Sequence, residues 1–506
     1  MDNLLYSVAE IRAIERSAAA ALEPGELMRR AGEAANRYAL ELVGDEHDLP
    51  VLVLAGPGNN GGDALEVAAN LRESGFDVMV LHVAGTAPSP ETAAALGRAR
   101  ASGARFIDAL PHRARYALVI DGLFGIGLAR PLDDYCVELV MGLAGNRAPV
   151  LALDVPSGLD ADTGQVVGGT DDNLALKATH TITFIGNKPG LYTCDGRDHA
   201  GEVRVDSLGI DKKHFVPSHA QLNGLDLFGF DLSLARREHN SHKGSFGDVA
   251  VLGGAHGMAG APILAACGAL YLGAGRVFVA SLAALPPYDS VHPELMFREA
   301  AGFEFAGRAV VAGPGMGDSP EATLLLAKVL AGPSPMVLDA DALNRIACSP
   351  NLQSLLKQRR PAPTVLTPHP LEAARLLGVT SQIVQADRLA AAREIAARFQ
   401  SIVVLKGSGT VIAGPDGEVA INTTGNPGLA TAGTGDVLAG ICGVLLAQGW
   451  EAAEAASCSV WLHGAAADAL VYEGVGPIGL TASELPQAAR TLFNALVNDA
   501  HPGVLE

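Results

Sequence analysis

Cysteine is scarce and badly spaced for chemistry. The 506 residues hold six, Cys136, Cys194, Cys267, Cys348, Cys442 and Cys458. No two stand at metal-ligand or redox spacing, which argues against a disulfide scaffold, a zinc ribbon and a CxxC redox motif. Such thiols are expected to be buried in a reducing compartment. Dense basic runs are also missing. Lys and Arg number 36 against 55 Asp and Glu, a formal net charge of −19. A chain with that balance repels nucleic acid and anionic membranes, so neither is an expected partner. Anionic ligands must then be held by local devices, such as helix N-termini and a few cations. The longest apolar helical run, "VLAGICGVLLAQG" from Val437, falls short of the roughly 20 residues that span a bilayer. The opening "MDNLLYSVAEIRAIERSA" is acidic early and reads as a helix rather than a signal peptide. Internal repeats and low-complexity tracts are absent. The expected location is cytoplasmic.

What is present is apolar residue in quantity, 49% of the chain, and a length that asks for two or three cores. The first half alternates short apolar runs with segments of helical length. Strands are expected at 51–55, 77–83, 116–121, 149–155 and 180–185. Continuous rather than alternating apolar strands predict a parallel sheet covered on both faces. The rhythm fails over 211–241, a polar stretch with proline. It then resumes with strands expected at 247–254, 276–280, 308–313, 335–340, 363–368, 401–406 and 409–413. The fold class is therefore α/β. Two three-layer domains are expected, at 1–215 and 235–506, joined by a linker at 216–234.

"GPGNNGGDA", Gly56 to Ala64, follows the run "VLVLA". Its glycines satisfy the spacing of a dinucleotide-binding turn. That fingerprint also needs an acid closing the second strand, and "VLHVAG" supplies none. What remains is a strand entering a glycine turn, with a helix expected to begin near Gly61 and Gly62. Free N–H groups there favour an anion. Asn59 and Asn60 bring amide groups, and Asp63 is expected in the first turn, where the helix dipole favours a carboxylate. Alone, this is an ordinary capped turn. Two further stretches change the balance: "DGLFGIGLARPL" begins at Asp121 and "LDVPSGLDADTG" carries Asp154 and Ser157, each at a strand end. In open α/β sheets those ends face the ligand crevice. Their oxygens suit a hard cation, and Asp154 suits a general base.

Together, "GPGNNGGDAL", "DGLFGIGL", "DVPSGLDADTG" and "TFIGNKPGL" resemble the N-terminal domain of the bifunctional NAD(P)H-hydrate repair enzymes, across most of residues 1–210. The resemblance implies a Rossmann-like epimerase domain that interconverts the R and S hydrates of NADH and NADPH (NADHX and NADPHX). It places a potassium ion on Asn60, Asp121 and Ser157. Substrate contacts fall on Asn59, Asn60, Gly61, Gly62 and Asp63, on Gly125, Ile126, Gly127, Leu128, Ala129, Arg130 and Pro131, and on Asp154. Where relatives usually carry Ala-Pro before a lysine, this chain reads Gly-Asn before Lys188. Asp154 is the expected proton-shuttling group.

In the second half, "NPGLATAGTGDVLAG" puts Gly433, Thr434 and Gly435 before Asp436 and a wholly apolar helix. Glycines let backbone N–H groups line a hole for phosphoryl oxygens. Asp436 beside it can take a proton from an attacking hydroxyl. "VLKGSGTVI" reads as strand, turn, strand, with Lys406, Ser408, Thr410 and glycine amides as phosphate donors. His369 lies between two prolines at a strand end. Asp339 and Asp341 follow a strand, where acids are commonly helix caps, and His242 and Lys243 read as a polar domain entry.

The series from "HKGSFGDVAVLGG" through "AGPGMG", "VLDADALN" and "TPHPLEAARLLG" to "GTGD" is similar to the ADP-dependent NAD(P)HX dehydratases, over nearly all of 235–500. This resemblance implies a ribokinase-like domain. Its substrate contacts fall on Ala261, Gly315, His369 and Asp436, and its nucleotide contacts on Lys406, Gly407, Ser408, Gly409, Thr410 and Gly435. ADP as co-substrate, magnesium on the nucleotide, AMP and phosphate as products, and a homo-oligomer are further implications. Read without the resemblance, the residues leave open a redox enzyme, a small-molecule kinase and a nucleotide-sensing module.

Overall fold

Val51–Ala55 (β1) is apolar at every position and buried throughout. Val51, Val53 and Ala55 enter one core, while Leu52 and Leu54 enter another. The sheet that holds them is thus covered on both faces, as continuous apolar strands require. The structure is a computed structural model that describes residues 3–44, 46–85, 88–111, 114–169, 173–224, 235–284, 288–359 and 362–499. The chain divides into two compact units, Met1–Gln221 and Leu222–Glu506.

In the first unit β1 is joined by Val78–His82 (β2), Arg105–Ile107 (β3), Leu118–Gly122 (β4), Val150–Leu153 (β5), His180–Phe184 (β6) and Glu202–Asp206 (β7). The order is β3-β2-β1-β4-β5-β6-β7, and every pairing is parallel. The winding reverses between β1 and β4, the place where α/β sheets open a crevice at their C-terminal ends. The N-terminal segment forms the expected helix, Val8–Ala19, started by a capping box between Ser7 and Glu10.

The second unit is built on Asp248–Gly253 (β9), Arg276–Ser281 (β10), Met296–Glu299 (β11), Ala309–Ala312 (β12), Met336–Leu338 (β13), Thr364–Leu366 (β14), Ile402–Leu405 (β15), Val411–Ala413 (β16) and Val419–Asn422 (β17). With Ala220–Asn223 (β8) they form a ten-stranded sheet, β11-β10-β9-β12-β13-β14-β15-β16-β17-β8. From β11 to β15 the pairings are parallel; β15, β16 and β17 are antiparallel. The helix Thr434–Ala447 is buried along its length. It meets helix Gly260–Tyr271 backbone to backbone. A Cβ on Gly440 would lie 1.9 Å from the Ala265 carbonyl oxygen, and one on Gly268 2.6 Å from that of Val437. Only glycine permits that approach, and it fixes where the helix begins.

Five strands escape the apolar-run criterion. β3 and β11 are edge strands with polar or half-exposed residues, and β7 alternates with Glu202 and Arg204 exposed. β8 and β17 are four residues each. β8 lies inside the expected linker, which is therefore not structureless from 216; residues 225–234 fall outside the described residues. Five cysteines are buried as expected, but Cys348 is exposed.

Candidate active sites

The first-unit crevice is a cavity of about 380 Å³ at the C-terminal ends of β1, β4 and β5. Asn59, Asn60 and Asp63 line it from helix Asn59–Glu73, Gly125 to Leu128 from the loop after β4, and Asp154 from the turn after β5. The helix starts at Asn59, two residues earlier than expected. Asp63 therefore sits in the second turn, where the helix dipole has faded. Burial, and then the nearby Asp154, Glu15 and Glu66 carboxylates, push its carboxyl well above the ordinary range. The expected contacts Gly61 and Gly62 do not line the cavity. They are buried in the helix, and a Cβ on Gly61 would fall 1.9 Å from the Gly56 carbonyl oxygen. Ala129, Arg130 and Pro131 are exposed and outside the lining.

Asp154 has a φ of 68°, in the left-handed region that few side chains adopt. The turn aims its carboxylate at Lys188 and the Ile126 N–H, with the Thr183 hydroxyl a longer third donor at 3.5 Å. Lys188 Nζ donates to Oδ1 at 2.6 Å and the Ile126 N–H donates to Oδ2 at 3.1 Å. Lys188 is wholly buried and also donates to Thr183 Oγ1 and the Phe184 carbonyl. Burial pulls its ammonium below the usual lysine range, against the Asp154 charge.

Asp121 is fully buried, accepting from Ser157 Oγ (2.6 Å), Ser157 N–H (2.8 Å) and Leu123 N–H (3.2 Å). No cationic side chain pairs with it among the described residues, and burial raises its pKa. Asn60 is 9% exposed, and neither its amide nitrogen nor its oxygen has a partner. A Cβ on Gly122, next to Asp121, would lie 2.9 Å from the Asn60 carbonyl oxygen. An uncompensated carboxylate and an orphaned amide in an all-oxygen setting fit a large monovalent cation.

In the second unit the expected residues follow adjacent strands. Asp339 comes after β13, His369 after β14 and Lys406 after β15. Lys406 Nζ meets Asp339 Oδ1 at 2.6 Å, and Thr367 Oγ1 donates to the same oxygen at 2.9 Å. Asp339 stands at the N-cap position of helix Ala340–Cys348, but its side chain makes no capping bond and is instead the counter-charge of Lys406. Burial works to lower the Lys406 pKa, but the carboxylates of Asp339 and Glu372 outweigh it and raise it. The two motifs converge: a Cβ on Gly435 would stand 3.2 Å from Lys406 Nζ. Helix Thr434–Ala447 starts on Gly433 at φ 92° without a side-chain cap, so its first N–H groups stay open to an anion. Asp436 lies in that first turn. Burial and the Asp339 charge, opposed by Lys406, push its carboxyl up to about 7.

The phosphate turn is held from below. Buried Arg388 donates to the carbonyls of Leu405 (3.1 Å) and Ser408. Gly407 and Gly409 take φ values of 144° and 60°. The Thr410 hydroxyl donates to the Gly407 carbonyl at 3.2 Å, bracing the turn. Ala261 and Gly315 come together: a Cβ on Gly315 would sit 3.3 Å from the Ala261 Cβ. His369 caps helix Pro370–Leu377, its Nδ1 accepting from the Leu371 and Glu372 N–H groups. Burial and Lys406 lower its pKa. Glu372, which the sequence reading passed over, is 3% exposed and answers the His369 N–H at 2.8 Å. Burial pushes it up to about 7, against the pull of Lys406. Among the described residues no three His, Cys, Asp or Glu side chains form a metal cage.

Two family models match the chain. One, described as YjeF-related protein N-terminus, covers residues 24–190; the other, described as NAD(P)H-hydrate dehydratase, covers 249–488. The bifunctional NAD(P)H-hydrate repair enzyme Nnr of Coxiella burnetii is 39% identical over 503 residues, 97% of this chain and 99% of that protein. The chain belongs to this family. The Escherichia coli (strain K12) repair enzyme Nnr is 37% identical over 97% of this chain and 94% of its own length. The crystal structure of the ADP/ATP-dependent NAD(P)H-hydrate dehydratase from Bacillus subtilis, co-crystallized with ATP/Mg2+, is 32% identical to the second half. It covers 51% of this chain and 93% of that one, at a TM-score of 0.45. Membership in the repair enzymes places one activity on each unit.

Proposed function

We propose that the chain repairs hydrated NADH and NADPH: its first unit interconverts the R and S hydrates, and its second dehydrates the S form at the expense of ADP. The observation that carries this reading is the meeting of Lys406, Gly435 and Asp436 at an uncapped helix start, in a chain matched along its length by repair enzymes.

Hydroxide is a poor leaving group and phosphate a good one. Asp436 takes the proton of the hydrate's hydroxyl, whose oxygen attacks the β-phosphorus of ADP as AMP leaves. The N–H groups of Gly435 and its neighbours and the Lys406 ammonium hold the equatorial oxygens. Phosphate then departs from the ring carbon, and loss of a proton from the adjacent carbon restores the double bond. Ser408, Gly409 and Thr410 line the nucleotide side, and Ala261, Gly315 and His369 the hydrate side. Magnesium, when bound to the nucleotide, neutralises charge on its phosphates.

In the first unit, the Gly125–Leu128 loop and Asn59 hold the substrate against Asp154, with Lys188 fixing that carboxylate. Asn60, Asp121 and Ser157 would hold potassium, which would supply a fixed positive charge to the crevice. A homo-oligomer in the cytoplasm completes the reading; light scattering checks the assembly.

The test is recovery of absorbance at the dihydronicotinamide band from mixed R and S hydrates with ADP, with and without potassium. Full recovery with free phosphate and AMP is expected. A stable phosphorylated product instead would make the second unit a kinase, and ADP binding without turnover would make it a sensor.

A further inference from the structure

The helix start that carries Gly435 and Asp436 has no side-chain cap of its own. Its open N–H groups stabilise a phosphoryl transition state only if they are fixed in advance. The chain reaches that helix from β17 through residues 423–433, a strap with little regular structure. Two glycines let the strap lie against helix Ala452–Tyr472. Gly425 takes a φ of 97°. A Cβ on Gly464 would stand 2.3 Å from Thr424 Oγ1 and 2.9 Å from the Gly425 nitrogen. Asp468 follows Gly464 by one turn, on the same face of that helix. Its Oδ2 accepts from the Gly425 N–H at 2.7 Å, and its Oδ1 accepts from Asn426 Nδ2 at 2.9 Å. Asn426 passes the constraint on: its Oδ1 accepts from the Gly428 N–H at 3.0 Å and caps the 3₁₀ turn Pro427–Leu429. The carbonyls of Leu429 and Thr431 then accept from Thr434 Oγ1 at 2.9 and 3.0 Å. Thr434 is the first residue of the helix that presents Gly435 and Asp436.

Resting on the dehydratase reading of this site, we propose that Asp468 is a positioning residue for phosphoryl transfer: through Gly425 and Asn426 it fixes the strap, and with it the open N–H groups and Asp436. It acts through the strap rather than on the reacting atoms. The contact is directional, because a carboxylate only accepts and the Asn426 amide nitrogen only donates. In Asp468→Asn an N–H faces either Asn426 Nδ2 or the Gly425 N–H, so one of the two bonds is lost whichever way the new amide lies. Asn426→Asp sets carboxylate against carboxylate. In the double variant Asn426→Asp/Asp468→Asn the two residues trade places. Donor and acceptor reverse between them, the Gly425 and Gly428 N–H groups still meet oxygens, and all three bonds re-form.

The test measures ADP-dependent recovery of NADH from its S hydrate by the full chain, well below the thermal midpoint of each variant. Each single variant should lower kcat on the order of 10²-fold, the scale that a misplacement of about 1 Å costs. The KM for the hydrate should stay within about threefold, since the loss falls on the transition state. The double variant should return kcat to within about threefold of wild type, the signature of a direct coupling. Wild-type kcat in both single variants overturns the proposal, even if their thermal midpoints fall, because Asp468 would then serve stability alone. A loss confined to the KM for the hydrate overturns it too, as does a double variant that keeps the wild-type midpoint yet stays as slow as the single ones. If the single variants do not fold, the kcat of the double variant decides alone. If wild type recovers no NADH, the dehydratase reading itself falls, a distinct outcome.

Discussion

Asp436, proposed above as the base of the dehydration, is a carboxylate whose charge the fold disfavours. Its carboxyl is raised to about 7 by burial and the Asp339 charge. As a base it works ionised, so kcat/KM for dehydration should rise through pH 7 and level above it. Stability runs the other way. Between the ordinary aspartate value and 7 the folded state binds more protons than the unfolded one, so stability falls as pH rises. Asp436→Asn removes that dependence. It should lower dehydration by on the order of 10²–10⁴-fold and leave the chain more resistant to urea than wild type above pH 7, with the advantage vanishing near pH 4. Burial disfavours the Lys188 charge as well, but Lys188 has a direct partner in Asp154. Breaking a buried pair strands the remaining charge, so Lys188→Met should cost about 3–5 kcal/mol in denaturant unfolding and abolish epimerisation. Asp154 and Lys406 stood out in the sequence because each adjoins a glycine turn at a strand end, and Asp436 because glycines precede it at a helix start. Asp468 and Glu372 did not. Each lies within a helix pattern, and only three-dimensional enclosure distinguishes it from a solvated acid.

At the scale of elements, glycines do two different jobs. Some let backbones touch. A Cβ on Gly56 would lie 1.7 Å from the Leu123 carbonyl oxygen, and one on Gly61 1.9 Å from that of Gly56. Neither backbone can retreat without moving β4 or the helix Asn59–Glu73. Gly61→Ala should therefore cost at least about 3 kcal/mol, read as loss of the first unit's unfolding transition. Gly435 differs, since its Cβ would meet only the Lys406 ammonium at 3.2 Å, the far end of a flexible side chain. Gly435→Ala should fold normally, as circular dichroism would report, yet raise the KM for ADP because Lys406 and the open N–H groups are displaced. Sequence spacing flagged both glycines as ligand contacts. For Gly61 the structure gives packing instead, a distinction that spacing cannot make. The strands that continuous apolar runs predicted were recovered to within a few residues at each end. Four of the five missed are edge strands such as Glu202–Asp206, where one solvated side imposes alternation in place of a continuous apolar run; the fifth, Val419–Asn422, is interior and buried.

At the scale of the molecule, the two carboxylates on which the proposed chemistry rests, Asp154 and Asp436, belong to separate compact units. Each unit has its own sheet and its own core, so a change confined to one cavity should leave the other reaction's machinery in place. This separates the activities kinetically. Given equal R and S hydrates and excess ADP, wild type should consume the whole mixture, because the first unit refills the S pool as the second drains it. Asp154→Asn should consume the S half with a normal first phase and then stall at the uncatalysed rate of inversion. Progress curves at the dihydronicotinamide band distinguish the two shapes directly. A monophasic curve running to completion in Asp154→Asn would mean that inversion proceeds without Asp154.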